Sequence, residues 1–256
     1  VDRRRIVILG AGGRDFHNFN LLLRDDPACE VLAFVATQIP FQAGRRYPPR
    51  LAGPLYPQGI PVVGEESLPD LIGAGGAEEV MLAYSDLSHR EAMRIASHIL
   101  ARGADLRLVA AERTMLRSSL SVVSVCAVRT GCGKSPVTRY LCRQLLAKGR
   151  YPVVVRHPMA YGSLEERAVQ SLRCLEDLDR FDCTLEEREE FEPLLALGVP
   201  VFSGVDYAQV LARAEGAGDM IIWDGGNNDT PFFRSDLEIV LVDALRPGDE
   251  AEYFPG

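Results

Sequence analysis

The sequence predicts an α/β chain that folds as two halves, each built on a parallel sheet. Short apolar runs alternate with amphipathic helical segments, and a glycine-rich turn follows an apolar run at residues 10–13 and again at 131–133. Strands that alternate with helices form parallel sheets whose faces are covered by the helices. The length of 256 residues suits two domains of ordinary size. We place a Rossmann-like domain at residues 1–118 and a second α/β domain at residues 119–256.

The composition argues against nucleic acid and membranes as partners and favours a cytoplasmic location. The net charge of −8 is unsuited to nucleic acid or acidic membrane surfaces. No apolar run approaches the roughly 20 residues of a membrane helix, and the opening VDRRRIVILG lacks the apolar segment of a signal peptide. The six cysteines include no Cys-x-x-Cys pair, which indicates reduced thiols and a cytoplasmic location.

The first half contains strands that we place at RIVILG, CEVLAFVATQ, EEVMLAYSD and ADLRLVAAE, with a helix at SHREAMRIASHILARG. Residues 37–64 interrupt this alternation with six prolines and four glycines. A connection this long and irregular is either a functional loop or an ordered structural flap.

The turn GAGGRDFHNFN, at residues 10–20, begins like the dinucleotide fingerprint G-x-G-x-x-G but has Asp15 in place of the third glycine. Its side chains are unusually polar, which suits a small anionic ligand better than NAD. We therefore name Arg14, Asp15, His17 and Asn18 as candidate substrate-binding residues. The alternative is a loop capped by its own Asn and His side chains.

The second half alternates in the same way. We place strands at SVVSVCA, YPVVVRHP, VPVFSGVD, DMIIWDGG and DLEIVLVDA, and helices after residue 133 and at YAQVLARAEG. Residues 163–197 form a polar helical region, and its charge run at residues 186–190 is typical of a solvated helix face. Because the chain stops after a strand without a covering helix, we expect one or both of its ends to be incomplete.

The stretch VRTGCGKS is close to the phosphate-loop pattern G-x-x-x-x-G-K-[ST], with Val128 in place of the first glycine. Gly131 and Gly133 leave the backbone amides open to phosphates. Lys134 is one of only two lysines among the 28 basic residues, and it is placed to bridge the β- and γ-phosphates. The Ser135 hydroxyl is a candidate magnesium ligand. We expect the loop residues to bind the nucleotide: Thr130, Gly131, Cys132, Gly133, Lys134, Ser135 and Pro136.

The stretch MIIWDGG supplies the second metal ligand that such a site requires. Four apolar residues lead to Asp224 at the end of a strand, as in a Walker B motif. Ligands of parallel sheets bind where the carboxyl ends of the strands meet. We therefore predict a P-loop nucleotide site in which Ser135 and Asp224 hold Mg²⁺.

The loop also has the features of a subclass. TGCGKS resembles the TG-x-GK[ST] of dethiobiotin synthetases, and Arg129 occupies the position of the signature lysine of the related ParA/MinD group. This resemblance implies a P-loop domain of the dethiobiotin synthetase/MinD-like type. No Asn-Lys-x-Asp or Thr-Lys-x-Asp guanine signature is present, so we expect ATP to be preferred over GTP.

Further stretches resemble the cyclic 2,3-diphosphoglycerate synthetases and their predicted-GTPase relatives, and Val128 fits that pattern. They span both halves: GRDFHNFN, ATQIP, YPPRLAGPLYPQGIP, AYSDLSH, SVCAVRTGCGKS, RHPMAYG, CTLEEREEFEP, GVDY, WDGGNND and VDALRPG. The resemblance implies ATP-dependent closure of a phosphoanhydride with release of ADP and phosphate, Mg²⁺ and possible K⁺ cofactors, and a longer chain. An Arg-rich chain is atypical of the methanogens that make this compound, so another small anion is an open alternative.

Phosphoryl transfer of this kind depends on electrostatic stabilisation by cationic groups. We name as catalytic candidates Arg129, Lys134, Arg156, His157 and Asp224. Asn227 and Asn228 are candidates for the substrate region, and Asp206 and Asp229 are candidates to shape it. The main hypothesis is an ATP-dependent ligase or phosphotransferase acting on a small anionic metabolite. The alternative is a nucleotide-dependent switch acting on a protein partner, and we expect a homodimer.

Overall fold

The computed structural model describes residues 3–37, 43–157 and 162–254. The chain folds as two compact units, Val1–Thr114 with Ser163–Glu165, and Met115–Gly162 with Glu166–Gly256. The division falls after Thr114, whereas the sequence placed it after residue 118. Each unit is built on a mainly parallel six-stranded sheet, so the α/β class with parallel sheets is confirmed.

The sheet of unit 1 has the strand order β3-β4-β2-β1-β5-β7. All neighbours are parallel except β3, which runs antiparallel to β4. The strands are β1 Arg4–Leu9, β2 Cys29–Ala36, β3 Arg46–Tyr47, β4 Ile60–Gly64, β5 Glu79–Leu82 and β7 Asp105–Leu108, with a short β6 at Leu87–Ser88. The helices are α1 Arg14–Leu22, α2 Pro49–Ala52, α3 Leu68–Ile72 and α4 His89–Leu100.

The proline-rich segment is ordered structure where the structure describes it. Residues 43–64 contain β3, α2 and β4, while residues 38–42 lie outside the described part. Tyr47 is fully buried, stacks on Phe16 with ring centroids 4.7 Å apart, and donates a hydrogen bond of 2.8 Å to Asn20. The prolines stiffen the segment, and the aromatic side chain of Tyr47 completes the core of unit 1. The described part therefore acts as a structural flap.

The sheet of unit 2 has the order β10-β11-β9-β12-β8-β13, parallel except for β10 on β11. Its strands are β8 Ser121–Ala127, β9 Pro152–Arg156, β10 Val169–Leu172, β11 Val201–Gly204, β12 Met220–Asn227 and β13 Leu237–Leu241, with a short β14 at Tyr253–Phe254. The helices are α5 Lys134–Ala147, α6 Glu176–Arg180, α7 Leu185–Leu195, α8 Tyr207–Glu215 and α9 Asp249–Glu252. Every helix in the described part of the chain is too short or too polar to cross a membrane.

The central strands of unit 2 are nearly continuous apolar runs, as expected for strands covered on both faces. Trp223 on β12 is fully buried and packs on Phe232, Phe233 and Tyr207, with centroid distances of 5.0, 5.3 and 5.6 Å. The strand that carries Asp224 is thus held by this packing and by its ladders with β8 and β9 on either side.

The charge run of α7 is only partly the solvated face that the sequence indicated, because Glu186 and Glu189 are exposed but Glu187 is buried. A capping box between Thr184 and Glu187 begins the helix and turns Glu187 inward. Glu187 is fully buried and accepts a 2.7 Å hydrogen bond from Arg167. Arg167 also donates to the carbonyls of Phe181 and Asp182 at 2.9 and 2.6 Å. The prediction of solvent exposure was wrong for Glu187, since one guanidinium ties three segments together.

Replacing Glu187 with Ala leaves the Arg167 charge buried without its carboxylate. We expect the free energy of unfolding to fall by roughly 3–5 kcal/mol, the cost of breaking a buried pair. Glu189→Ala, at an exposed position of the same helix, is the matched control and should change it by less than about 0.5 kcal/mol. Urea denaturation of both variants checks this, and equal small losses would show that the pair adds little to stability.

Candidate functional site

A cavity of about 490 Å³ opens in unit 2 where β8, β9 and β12 end. This volume lies within the roughly 300–1,000 Å³ of small-molecule sites. Its position agrees with the rule that parallel sheets bind ligands at the carboxyl ends of their strands. The lining residues come from the loop after β8, the first turn of α5, the ends of β9 and β12, and α7: Thr130, Gly131, Gly133, Lys134, Ser135, Pro136, Arg156, His157, Glu186, Glu190, Gly225, Gly226 and Asn227.

The glycine-rich loop forms one wall of this cavity. Gly131 and Gly133 have φ angles of +88° and +97°, a left-handed conformation that glycine adopts without strain. A Cβ at either position would meet no atom within 4 Å, so backbone conformation, not crowding, requires the glycines. Gly133 caps α5 without any side-chain hydrogen bond to its first amides. These amide N–H groups, at the positive end of the helix, are suited to binding an anion.

Lys134 is held at the mouth of this loop. Its Nζ donates to Oδ1 of Asn227 at the end of β12, and Asn227 Nδ2 donates 2.6 Å to the Thr130 hydroxyl. Burial lowers the pKa of the Lys134 ammonium, and the nearby Asp224 charge opposes that effect. Within the described residues Lys134 has no ion pair. A phosphate beside it would supply the missing counter-charge.

Arg156, at the end of β9, connects the two carboxylates of the site. Its Nη1 donates to Asp224 Oδ2, and its Nη2 lies 3.1 Å from Glu190 Oε2. The same Glu190 oxygen accepts a 2.8 Å hydrogen bond from the Ser135 hydroxyl. Burial opposes the charge of Arg156, but the carboxylates of Asp224 and Glu190 outweigh it and raise the pKa of the guanidinium. One network thus joins the loop, β9, β12 and α7.

The oxygen donors of this network fit a magnesium ion. Asp224 is 1% exposed, and its Oδ1 has no hydrogen-bond partner among the described residues. The Ser135 hydroxyl and the Glu190 carboxylate supply further hard donors. Over the same residues no group of three or more His, Cys, Asp or Glu side chains is placed to hold a metal ion alone. Mg²⁺ commonly takes one or two carboxylates and completes its shell with water and ligand phosphates.

His157 borders the cavity next to the network. Its Nε2 lies 3.1 Å from Oδ2 of Asp229, a residue only 7% exposed. The ring also packs against Phe232 with centroids 5.7 Å apart. A Cβ on Gly226 would lie 2.9 Å from the His157 ring, so this glycine makes room for it. The imidazole is therefore held in one orientation by a buried carboxylate.

Four of the predicted catalytic and binding residues of unit 2 do not line the cavity: Arg129, Cys132, Asp224 and Asn228. Asp224 is buried and contacts the lining residue Arg156. Arg129 lies 3.6 Å from Asp249 and 4.0 Å above the Tyr253 ring. Asn228 is buried with a φ of +44° and donates 2.8 Å to the Phe254 carbonyl. Asp206 caps α8 by accepting a 3.2 Å hydrogen bond from the Gln209 amide. The contacts of Arg129, Asn228 and Asp206 stabilise the surrounding chain and do not bring the side chains to the site.

Glu190 is the site residue that the sequence reasoning missed, and Glu186 also borders the cavity. The charge run was interpreted as solvent-exposed because such runs usually are. The stretch CTLEEREEFEP was among those that carried the family resemblance, and this was the available signal.

The turn after β1 in unit 1 is closed by its own side chain. Asp15 accepts hydrogen bonds from the amides of Gly12, Gly13 and Phe16 at 2.9, 3.1 and 2.7 Å. These amides are the groups that hold a phosphate in a dinucleotide fold. His17 and Asn18 are 1% and 2% exposed, and His17 Nε2 lies 2.7 Å from the Thr114 carbonyl. Arg14 is half-buried at the start of α1. Because the Asp15 carboxylate occupies the loop amides and His17 and Asn18 are buried, the turn fits the alternative of a loop capped by its own side chains better than an anion site.

No protein-family model matches this chain. It is 51% identical over 254 residues to a protein named arginine synthetase ArcE from Thermococcus kodakarensis. The match covers 99% of this chain and 57% of that protein, so the chain spans little more than half the length of its relative.

Two solved structures share limited similarity with the chain. LpxK from Aquifex aeolicus in complex with ATP has a TM-score of 0.42 and 18% identity over 59% of this chain and 46% of its own. Aspartate semialdehyde dehydrogenase with NADP from Candida albicans has a TM-score of 0.31 and 21% identity over 58% and 40%. Neither likeness is close enough to support an argument about fold or function.

The buried carboxyl of Asp15 should make stability depend on pH. Burial raises its pKa from 3.8 to about 6, although hydrogen bonds from backbone amides act to lower it, so the folded state binds a proton more tightly than the unfolded state. The protonated carboxyl therefore stabilises the fold fully below pH 3.8, and this contribution is lost as pH rises through about 6. We expect Asp15→Asn to gain stability relative to the native chain between pH 4 and 7, on the order of 3 kcal/mol.

Urea unfolding of the native chain and Asp15→Asn at four pH values measures this difference. Asp70→Asn, an exposed carboxylate of the same unit, is the control and should show no comparable trend. A stability difference for Asp15→Asn that stays constant with pH would contradict the raised pKa.

Proposed function

We propose that this chain carries the nucleotide-binding and activating site of an ATP-dependent ligase. The observation that supports this most strongly is the convergence of Lys134, Ser135, Arg156 and Glu190 on one cavity beside the glycine-rich loop, where Arg156 also pairs with the buried Asp224. The cavity combines amide donors and an unpaired cation for phosphates with oxygen donors for a metal ion. These are the requirements of phosphoryl transfer from a nucleotide.

In this proposal the loop amides and Lys134 bind the β- and γ-phosphates of ATP. Ser135 and Asp224 hold Mg²⁺, which would neutralise charge on the phosphates when bound. For Ser135 to serve the metal, its hydroxyl must leave the Glu190 oxygen that it contacts at 2.8 Å. Arg156 keeps Asp224 oriented throughout, since both are buried and the guanidinium bridges the two carboxylates.

The substrate class follows from the name of the relative. Arginine differs from its ureido analogue, citrulline, by a nitrogen in place of the ureido oxygen. Since that oxygen is a poor leaving group, we propose that it first accepts the γ-phosphoryl group of ATP. Ammonia then attacks the ureido carbon, and the oxygen leaves as part of inorganic phosphate. ATP, citrulline and ammonia thus give arginine, ADP and phosphate.

A second substrate is supported by the sequence resemblance to cyclic 2,3-diphosphoglycerate synthetases. In that reaction one phosphate of 2,3-diphosphoglycerate accepts the γ-phosphoryl group of ATP. An oxygen of the other phosphate then attacks the phosphorus of the activated phosphate, which closes the ring and releases the transferred group as inorganic phosphate. Both reactions share activation of a substrate oxygen by ATP and attack by a nucleophile. We rank the ureido substrate first because the relative covers 99% of the chain.

Homodimerisation and a cytoplasmic location also stay predictions.

His157 and Asp229 fit the role of proton acceptor in the second step. An ammonium nucleophile must lose a proton before it attacks, and the Asp229 carboxylate would stabilise the imidazolium that forms. The 3.1 Å contact and the cavity position of His157 supply the geometry. The Asp229–His157 pair is therefore proposed to act on the nucleophile, while Lys134 acts on the nucleotide.

The test is ADP formation by the purified chain with ATP and Mg²⁺, with citrulline plus ammonia or with 2,3-diphosphoglycerate. We expect one substrate to raise ADP release, with its product formed in equal amount. Lys134→Ala should lower turnover by roughly 10²–10³-fold, the scale for loss of one group that stabilises transition-state charge. Lys148→Ala, which removes the other lysine at an exposed position, should leave turnover unchanged.

If Lys134→Ala and Lys148→Ala lost turnover equally, the glycine-rich loop would have no specific role in the reaction. ADP release that responds to no metabolite but rises with a purified protein partner would favour the nucleotide-dependent switch instead.

A further inference from the structure

Unit 1 contains a second cavity, of about 130 Å³, at the carboxyl edge of its own sheet. Leu9 at the end of β1, Thr37 just after β2 and Tyr84 just after β5 line it. From β1 the chain first adds β2 and β4 on one side of the sheet, and it then adds β5 and β7 on the other side. The cavity thus lies at the switch point of the sheet, where open α/β sheets bind their ligands.

The size and position of this cavity exclude a dinucleotide. Its volume is below the roughly 300–1,000 Å³ of sites for drug-sized ligands and equals the space of about four water molecules. The amides at the start of α1 that would hold a pyrophosphate are already taken by Asp15. A cavity of this size admits only a small molecule.

One wall of the cavity is apolar. Ile72 of α3 and Ile95 and Ile99 of α4 line it together with Leu68 and Pro69. Ile72 and Ile99 are almost fully buried, whereas Ile95 is partly exposed to the cavity side of α4. A short aliphatic chain would gain about 0.8 kcal/mol for each methylene that it buries against this wall, as general transfer data give.

The rim of the cavity carries unpaired charges of both signs. Arg94, His98 and Arg102 follow one another at four-residue spacing along α4, and Glu65 lies in the 3₁₀ turn before α3. Within the described residues Glu65, Arg94 and Arg102 form no ion pair. Burial chiefly raises the pKa of the Tyr84 hydroxyl, the nearby Thr37 hydroxyl lowers it, and Glu65 and Arg94 have smaller opposing effects. Tyr84, Glu65 and Arg94 all line the same cavity.

From this combination we propose that the unit 1 cavity binds a free α-amino acid with a short aliphatic side chain. Arg94 would pair with the carboxylate, Glu65 with the ammonium group, and the side chain would pack on Ile72, Ile95 and Ile99. A zwitterion satisfies both unpaired charges at once, whereas a simple anion or amine satisfies only one. This inference concerns binding alone and does not rest on the proposed reaction in unit 2.

Calorimetric titration of the full chain, without nucleotide, tests the proposal with three probes of similar size. Norvaline carries both charged groups, valerate only the carboxylate and butylamine only the ammonium. We expect norvaline to bind at least about tenfold more tightly than either fragment, the factor that one lost charge-assisted hydrogen bond gives. No norvaline binding, or equal binding of valerate, would overturn the proposal.

Surface variants locate the site. Arg94→Gln and Glu65→Gln, both at exposed positions, should each weaken norvaline binding by about tenfold for the same reason. Arg90→Gln, one turn earlier on α4 and outside the lining of the cavity, should leave it unchanged. Norvaline binding that all three variants retain would place the ligand elsewhere and overturn the assignment. Unchanged thermal melting of each variant shows that the fold is intact.

Discussion

The candidate site depends on the buried contact between Arg156 and Asp224. The two residues are partners in the parallel ladder of β9 and β12, so the backbone register brings their side chains to the same edge of the sheet. Removing two charges from water is costly, and the pair is stable only because its remaining groups find partners. Glu190 supplies one of these by accepting from the same guanidinium. Asp224 Oδ1 has no hydrogen-bond partner among the described residues, and it is the oxygen that we propose binds the metal ion.

The rest of the cavity follows from this arrangement. Since β12 lies beside β8, the carboxylate edge meets the loop that β8 leads into, and Asn227 at the end of β12 can hold Lys134. The Ser135–Glu190 contact links that loop to α7. The loop, the proposed metal ligands and the candidate proton acceptor are thus brought together by three adjacent strands, although Lys134 and Asp224 lie 90 residues apart in sequence.

Much of this could be predicted from local patterns. Continuous apolar runs fixed the central strands, and Gly131, Gly133 and Lys134 indicated a phosphate loop because such a loop requires open amides and a cation. Asp224 alone was equally consistent with the start of a turn, and it was predicted as a metal ligand only because a phosphate loop upstream requires a carboxylate at the end of a strand. Long-range partners could not be found in this way. Glu190 was interpreted as solvent-exposed because its charge run gives no sign that α7 packs beside Ser135. Arg129 was predicted to contact the phosphates, but it contacts Asp249 and Tyr253, which lie more than a hundred residues later in the sequence.

In unit 1, Asp15 accepts hydrogen bonds from the amides that a glycine at this position would have left open to a ligand.

The most direct test of the central claim is the dependence of ATP affinity on magnesium, measured by calorimetry for the native chain and for Asp224→Asn. The account predicts that chelating Mg²⁺ weakens ATP binding by at least about tenfold in the native chain, or 1.4 kcal/mol, and has little effect in the variant, which lacks the carboxylate. A folded variant whose affinity falls on chelation as much as that of the native chain, or a native chain that binds no ATP, would contradict it.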